Sequence, residues 1–192
     1  PQQIREVALN LATTVQEQKP LVISIAAGIR ADDLQRWLGG ECALVRCMPN
    51  TPALVQSGAT ALYATENTND NQRDIAESIL RSVGLTIWLE DEDQMDAVTA
   101  LSGSGPAYLF LVIEALQAAG EKLGIDSHTA RLLALQTAFG AAKMALESTE
   151  GVDSLRQRVT SPGGTTEAAL AVLEQGDLRQ LFGSQQDQGH DQ

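Results

Sequence analysis

Leu21-Val22-Ile23-Ser24-Ile25-Ala26 is the stretch that decides the fold class of this chain. Its apolar run is almost continuous, which is typical of a strand that is covered on both faces of a sheet. Similar short runs follow at 43–47, 59–64 and 85–89, separated by helical patterns at 32–38 and 71–83. This alternation of helix and strand predicts a mostly parallel α/β sheet.

From about residue 95 onward the pattern is helical throughout, with long helices predicted to about 123 and at 127–146. We therefore expect an α/β domain at 1–94, an all-helical domain at 95–183 and a polar tail at 184–192 that lacks any period and should be disordered. The acidic run 90–93 marks the junction, and we interpret it as a solvated helix start that the helix dipole favours.

The second long helix is apolar almost all round, from Leu132 through Ala142. A helix of this kind must be buried on every side. Because the helical domain is too small to cover it alone, we expect a second copy of the chain to pack against it.

Charge and cysteine content exclude several classes of function. The net charge of −12 and the pI near 4.4 argue against a nucleic-acid partner, since the clustered Lys and Arg that phosphate backbones require are absent. The two cysteines, Cys42 and Cys47, are predicted to face opposite sides of a buried strand, far in sequence from either histidine. We expect no metal site, and buried free thiols fit a reducing cytoplasm.

The longest apolar run, 107–113, is stopped by Glu114, so we expect no membrane-spanning helix and no membrane partner. The chain opens at Pro1 within a helical pattern, and we expect a part of the protein upstream of it.

A second informative stretch, Thr160-Ser161-Pro162-Gly163-Gly164-Thr165-Thr166, leads directly into a helical pattern. Pro162 restricts its own φ, the two glycines let a ligand approach the backbone, and the N–H groups of a helix start attract an anion. A carboxylate or phosphate would suit such a site, and the neighbouring hydroxyls could bind another polar atom of the same ligand. An ordinary Pro-Gly loop with Thr caps is the alternative interpretation.

In open α/β sheets, ligands bind beyond the carboxyl ends of the strands. That rule places Ala26-Ala27-Gly28 and Met48-Pro49-Asn50 at the expected mouth of a ligand site.

Taken together, five strings in order resemble the pyrroline-5-carboxylate reductase family: 26–28, 46–52, 101–108, 140–144 and 161–166. The resemblance covers about residues 1–182. It implies the C-terminal half of a Rossmann-type domain, followed by a helical domain for dimerisation and catalysis. It also implies an enzyme that reduces the C=N bond of 1-pyrroline-5-carboxylate to L-proline with NADPH or NADH. In that family the helical domain interlocks with its twin in a homodimer, often assembled into larger rings.

The resemblance also assigns cofactor contacts. It implies that Ala26 and Ala27 line the nicotinamide-ribose side, and that Met48, Pro49 and Asn50 form the floor near the nicotinamide ring. The family's glycine-rich dinucleotide fingerprint belongs upstream of the first residue. The choice between NADPH and NADH therefore stays open.

For the substrate, the resemblance implies that the carboxylate rests on backbone N–H groups around Ser161, Gly163, Gly164 and Thr165. Thr166 is the candidate catalytic residue, hydrogen-bonded to the ring nitrogen. Because a Thr hydroxyl is a poor proton donor, we expect the imine to arrive protonated or to draw its proton from water.

Two departures from the family pattern are Arg158 and the loop 148–153. Two alternatives to the reductase remain at this point. One is a hydroxyacid-type Rossmann dehydrogenase with Lys143 as its acid. The other is a non-catalytic dimerisation module that lacks the cofactor's phosphate site.

Overall fold

The computed structural model describes residues 2–188, with side chains through residue 183. The chain forms two compact units, residues 2–106 and Ala107–Gln188. The unit boundary lies about a dozen residues after the predicted boundary at 94/95, because the helical segment that follows the sheet belongs to the first unit.

Helices and strands alternate in the first unit, as the sequence predicts. The order is α1 (Ile4–Gln18), β1 (Val22–Ser24), α2 (Ala31–Trp37), β2 (Leu44–Met48), a 3₁₀ turn (Thr51–Val55), β3 (Gly58–Ala64), α3 (Asp70–Arg81), β4 (Gly84–Trp88) and α4 (Gln94–Val98). Helix α3 begins with a capping box, in which the Asn69 side chain accepts from the Gln72 N–H and the Gln72 side chain accepts from the Asn69 N–H.

The described strands form one sheet in the order β1-β2-β3-β4. β1 pairs parallel with β2 and β3 pairs parallel with β4, but β2 and β3 are antiparallel. The short connection through the 3₁₀ turn explains this exception, since a parallel crossover needs a dozen or more residues. Only β1 and β2 therefore direct their carboxyl ends to the edge where the sequence places the ligand.

Two apolar clusters cover the two faces of the sheet. Leu44 packs with α1 and α2 on one face, and Val45 packs with Leu62 and with Ala76 of α3 on the other. Cys42 lies in the first cluster and Cys47 in the second. Both cysteines are buried and free, and their predicted location on opposite faces is confirmed.

Helix α4 continues through a π-helical turn, Thr99–Gly103, into α5 (Gly105–Lys122). The resulting stretch Gln94–Lys122 has 29 residues and an 18-residue window of mean hydropathy 1.3, enough by length and composition to cross a membrane. The expectation that Glu114 rules out such a helix is therefore wrong, because one carboxylate is too little to interrupt a helix of this length.

The second unit is entirely helical. After α5 come α6 (Ser127–Glu147), α7 (Val152–Arg158), α8 (Thr165–Gln175) and α9 (Leu178–Gln188). Residues 184–188 of the tail that the sequence predicts as disordered continue α9, since Gln is a good helix former. Residues 189–192 lie outside the described part of the chain.

Apolar side chains are widely exposed on α5 and α6 within a single chain. Among the described side chains of α6, only Ala130 and Ala134 are buried, whereas Leu132, Leu135 and Phe139 are 50%, 39% and 61% exposed on one stripe. The sequence predicts that α6 is buried on every side, but a single chain leaves most of its side chains exposed.

Candidate functional site

The carboxyl ends of β1 and β2 bring the predicted cofactor residues to one edge of the sheet. Ala26 and Ala27 follow β1, and Met48 is the last residue of β2, with Pro49 directly after it. Ala26 donates its N–H to Ser24 Oγ at 3.3 Å, which anchors the start of the turn. The small side chains of Ala26 and Ala27 line a cleft of about 760 Å³ along the outer side of β1. Small residues at such an edge allow a flat ring and its sugar to approach the backbone.

The side chain of Asn50 bonds to two other segments of the first unit. Its Oδ1 accepts from the Ala59 N–H at 2.9 Å, and its Nδ2 lies 3.2 Å from the Ser102 carbonyl oxygen and 3.3 Å from Ser102 Oγ. Asn50 thus joins the end of β2, the start of β3 and the π-helical turn.

Met48 lies against the π-helical turn. A Cβ placed on Gly103 would come within 2.8 Å of the Met48 methyl carbon, so the absence of a side chain at Gly103 makes room for Met48. Gly103 therefore serves close packing, whereas a Cβ on Gly105 would meet none of the described atoms within 4 Å.

A buried ionic cluster beneath this edge was missed at the sequence level. Glu92 and Arg46 are only 8% and 7% exposed, and the Glu92 carboxylate pairs with the Arg46 guanidinium. Glu92 also accepts the Ala31 N–H at 2.6 Å, and Arg30 lies 3.6 Å from its second oxygen. The interpretation of the whole acidic run as solvated is wrong for Glu92. The signal that could have revealed it is Arg46 in the middle of a buried strand, because a buried charge needs a counter-charge.

The predicted anion loop forms a tight turn in the second unit. The Gly164 N–H donates to the Ser161 carbonyl oxygen at 3.0 Å, with Pro162 second and Gly163 third in the turn. Gly163 has φ +73°, which favours glycine and matches the third position of a type II turn. At Gly164 a Cβ would come within 3.0 Å of the Ser161 carbonyl oxygen, so this position also favours glycine.

The turn opens directly into α8. Gly164 is its N-cap and offers no side-chain cap, and the N–H groups of Thr165, Thr166 and Glu167 have no hydrogen-bond partner within the part of the chain that the structure describes. The Gly163 N–H donates to Glu167 Oε2 at 2.7 Å. A ligand carboxylate that used the Gly163 N–H would have to displace this side chain. The hydroxyl-bearing residues Ser161, Thr165 and Thr166 are all exposed.

The predicted cofactor and substrate residues are thus brought together in two groups. Ala26, Ala27 and 48–50 lie in the first unit, and 161–166 lie in the second. Near the second group, the departure at Arg158 forms an exposed ion pair with Glu150 at 2.9 Å. Such a pair contributes little to stability, about 0–1 kcal/mol.

Burial controls the chemistry of the thiol nearest the predicted cofactor edge. Desolvation raises the pKa of Cys47 from 9.0 to about 12. A thiol with this pKa stays protonated at neutral pH and cannot act as a nucleophile there.

Comparison with known proteins shows that most of the chain is similar to pyrroline-5-carboxylate reductases. The family model for pyrroline-5-carboxylate reductase dimerisation matches residues 92–191. The pyrroline-5-carboxylate reductase of Pseudomonas aeruginosa is 52% identical over 181 residues, which are 94% of this chain and 66% of that protein. The enzyme of Haemophilus influenzae is 48% identical over 183 residues, 95% of this chain and 67% of that protein. This chain therefore spans about two thirds of the length of these relatives.

Solved structures agree. A pyrroline-5-carboxylate reductase from Coxiella burnetii matches 98% of this chain and 70% of its own, with a TM-score of 0.93 and 52% identity. Pyrroline carboxylate reductase from Plasmodium falciparum, solved with NADP bound, matches 98% of this chain and 75% of its own, with a TM-score of 0.90 and 32% identity.

Proposed function

This chain belongs to the pyrroline-5-carboxylate reductase family, and on that premise we propose that the protein reduces the C=N bond of 1-pyrroline-5-carboxylate to L-proline with NADPH or NADH. This reaction is the last step of proline biosynthesis. The observation that carries the proposal is the turn 161–164 with the unpaired N–H groups that follow it at the start of α8.

The substrate carboxylate binds to main-chain N–H groups in this proposal. N–H groups at a helix start carry a partial positive charge, so they hold an anion without a charged side chain. The contacts come from the backbone around Ser161, Gly163, Gly164 and Thr165. The displaced Glu167 side chain moves into solvent, where its charge is hydrated.

Thr166 orients the ring nitrogen. Its exposed side chain is on the second residue of α8, next to the amide groups that hold the carboxylate. A nicotinamide cofactor held at the sheet edge would supply the hydride that the carbon of the C=N bond requires. Because 161–166 contains no titratable side chain, the proton on nitrogen arrives with the substrate or from water. Orientation then supplies much of the rate.

The residues at the sheet edge fit the nicotinamide end of a cofactor. Ala26 and Ala27 line the cleft along β1, and Met48 ends β2 at the same edge, with Pro49 and Asn50 directly after it. Residues that would distinguish NADPH from NADH are not among these positions.

The partner of the helical unit is a second copy of this chain. Exposed apolar stripes on α5 and α6 need cover, and this part of the chain matches a dimerisation domain. The polar row Glu114, Gln117 and Glu121 on α5 favours a protein partner over lipid, since buried carboxylates are costly in a membrane. A cytoplasmic location accords with the two free buried thiols.

Of the two alternatives, the hydroxyacid-type dehydrogenase is not supported. Its candidate acid, Lys143, is exposed and lies 3.8 Å from Glu147 on the same helix, and the family of the chain is a different one. The non-catalytic dimerisation module remains the second candidate, because the chain spans about two thirds of its relatives.

One assay separates the reductase from the module. NADPH and NADH oxidation is followed at 340 nm with 1-pyrroline-5-carboxylate, using both the complete gene product and the 192-residue chain. We expect the complete gene product to reduce the imine and to leave 2-oxo acids, which a hydroxyacid dehydrogenase would reduce, unchanged. If neither protein turned over the imine and the chain associated stably with itself, the non-catalytic dimerisation module would be favoured.

A further inference from the structure

We propose that Glu92 is a positioning residue that holds the two cofactor-contacting segments of the first unit in their working arrangement. The inference rests on the proposed function, because it concerns how the nicotinamide side of that same site is built. Glu92 lies beneath this side of the site and is assigned no contact with cofactor or substrate.

The first arm of Glu92 fixes the loop after β1. The segment 25–30 connects Ser24 to Ala31, the first residue of α2. Its near end is held where the Ala26 N–H meets Ser24 Oγ, and its far end where the buried Ala31 donates to Glu92 Oε1 at 2.6 Å. These anchors fix the two ends of the loop that carries the exposed Ala27 and Gly28.

The second arm fixes β2. Arg46 lies two residues before Met48, on the same face of the strand, and its guanidinium pairs with the Glu92 carboxylate. Met48 in turn packs against Gly103. One carboxylate thus joins both strand ends that carry the predicted nicotinamide contacts, although 46 residues separate Arg46 from Glu92.

The negative charge of Glu92 is essential to this arrangement. An amide in its place could still accept the Ala31 N–H, but it could not neutralise Arg46, which is 7% exposed. A buried guanidinium without its counter-charge moves toward water or another partner. Arg46 and the β2 end would then shift relative to the 25–30 loop.

The test is Glu92→Gln in the complete gene product, with steady-state constants measured separately for cofactor and imine. We expect the cofactor KM to rise by about fivefold or more, because small misplacements of binding groups are costly. The imine KM should stay within about twofold, because the proposed carboxylate contacts belong to the other unit. The matched control is Glu90→Gln, the same substitution at an exposed residue of the acidic run. We expect it to leave both KM values unchanged.

A purely structural role predicts a different pattern. Glu92→Gln would then lower the Tm while the cofactor KM of the folded fraction stayed at the wild-type value, and that result overturns the inference. If Glu92→Gln does not fold, the double variant Glu92→Leu with Arg46→Met removes both charges and the acceptor for Ala31 together. Apolar replacement of a buried pair is often tolerated. A folded double variant with wild-type cofactor KM also overturns the inference.

Cofactor dissociation constants, measured by NADPH fluorescence without imine, keep the two proposals apart. A wild-type protein that binds NADPH but does not reduce the imine contradicts the proposed function, and the Glu92 comparison is then decided by the dissociation constants. A wild-type protein that neither binds nor turns over contradicts both.

Discussion

Individual residues around the two candidate sites divide into those that are committed to the fold and those that are available to a ligand. The side chains of Asn50, Arg46 and Glu92 all bind partners within the first unit. Thr165 and Thr166, by contrast, are exposed at a helix start whose N–H groups lack partners among the described residues. The free hydroxyls and amides are therefore available to the substrate carboxylate and ring nitrogen of the proposed function.

Replacing Thr166 with Val keeps its size and removes its hydroxyl. If Thr166 orients the ring nitrogen, kcat/KM for the imine should fall by about one to three powers of ten, roughly 1.4–4 kcal/mol. The control is Thr14→Val, at an exposed position of α1. Steady-state kinetics on the complete gene product measure both. Unchanged kinetics in Thr166→Val would remove this residue from the mechanism.

Cys47 should be inert in the folded protein. With its pKa raised by burial to about 12, only about one molecule in ten thousand carries the thiolate at pH 8. Iodoacetamide labelling followed by mass spectrometry should therefore modify Cys47 only after urea is added.

The same pKa sets the sign of a pH effect on stability. The folded-state value lies above that of an unfolded thiol, so Cys47 contributes stability below about pH 8.5 and loses it as the pH rises toward 12. Rapid labelling of Cys47 in native protein at pH 8 would contradict this account.

At the scale of elements, the β3–β4 pair depends on two glycines facing each other. Gly58 and Gly84 are register partners, and a Cβ on Gly84 would lie 2.0 Å from the Gly58 carbonyl oxygen. Gly84 also has φ +149°, which side chains rarely adopt. The parallel ladder can therefore begin here only because Gly84 has no side chain. A Cβ on Gly58 would come within 2.9 Å of Ala53, so that position also favours glycine.

Gly84→Ala should destabilise the protein by about 2–4 kcal/mol, since backbone strain and a backbone clash add. Gly40→Ala is the matched control, because Gly40 has φ +130° with none of the described atoms within 4 Å of the added Cβ. That control isolates the conformational strain, about 1–3 kcal/mol. Urea unfolding measures both variants. A Gly84→Ala loss no larger than that of Gly40→Ala would show that the sheet adjusts to the extra atom.

At the scale of the whole molecule, two units serve different parts of the proposed reaction. The first carries the sheet edge for the cofactor, and the second carries the anion turn and the exposed stripe on α6. Leu132, Leu135 and Phe139 are exposed on one side of α6, and burying this apolar surface against a second chain would favour self-association. The match of residues 92–191 to a dimerisation domain agrees with self-association.

Sedimentation velocity should show the 20.4 kDa chain as a dimer or larger at micromolar concentration. Phe139→Glu places a charge in the proposed contact, and we expect it to shift the chain toward the monomer. The control Ile79→Glu changes an exposed apolar residue of α3 in the other unit, and it should leave the sedimentation coefficient unchanged. A monomeric wild-type chain would contradict the proposal that a second copy covers α6.

The sequence by itself determined the elements and the local motifs. Short, nearly continuous apolar runs identified β1 through β4, because a strand covered on both faces is apolar throughout, and the helical period of apolar residues identified the long helices. The Ser161–Gly164 turn was equally readable, since Pro162 and Gly163 restrict their own backbone angles.

Only the tertiary structure decided which distant groups meet. The antiparallel β2–β3 pairing, the Asn50 bonds to Ser102 and the Gly58–Gly84 approach all join segments whose sequences carry no mutual period. Glu92 is the clearest case: its neighbours on either side are acidic and exposed, yet its own carboxylate is buried against Arg46. Local spacing records which face of an element is apolar, whereas the partner of a buried charge is set by how whole elements pack.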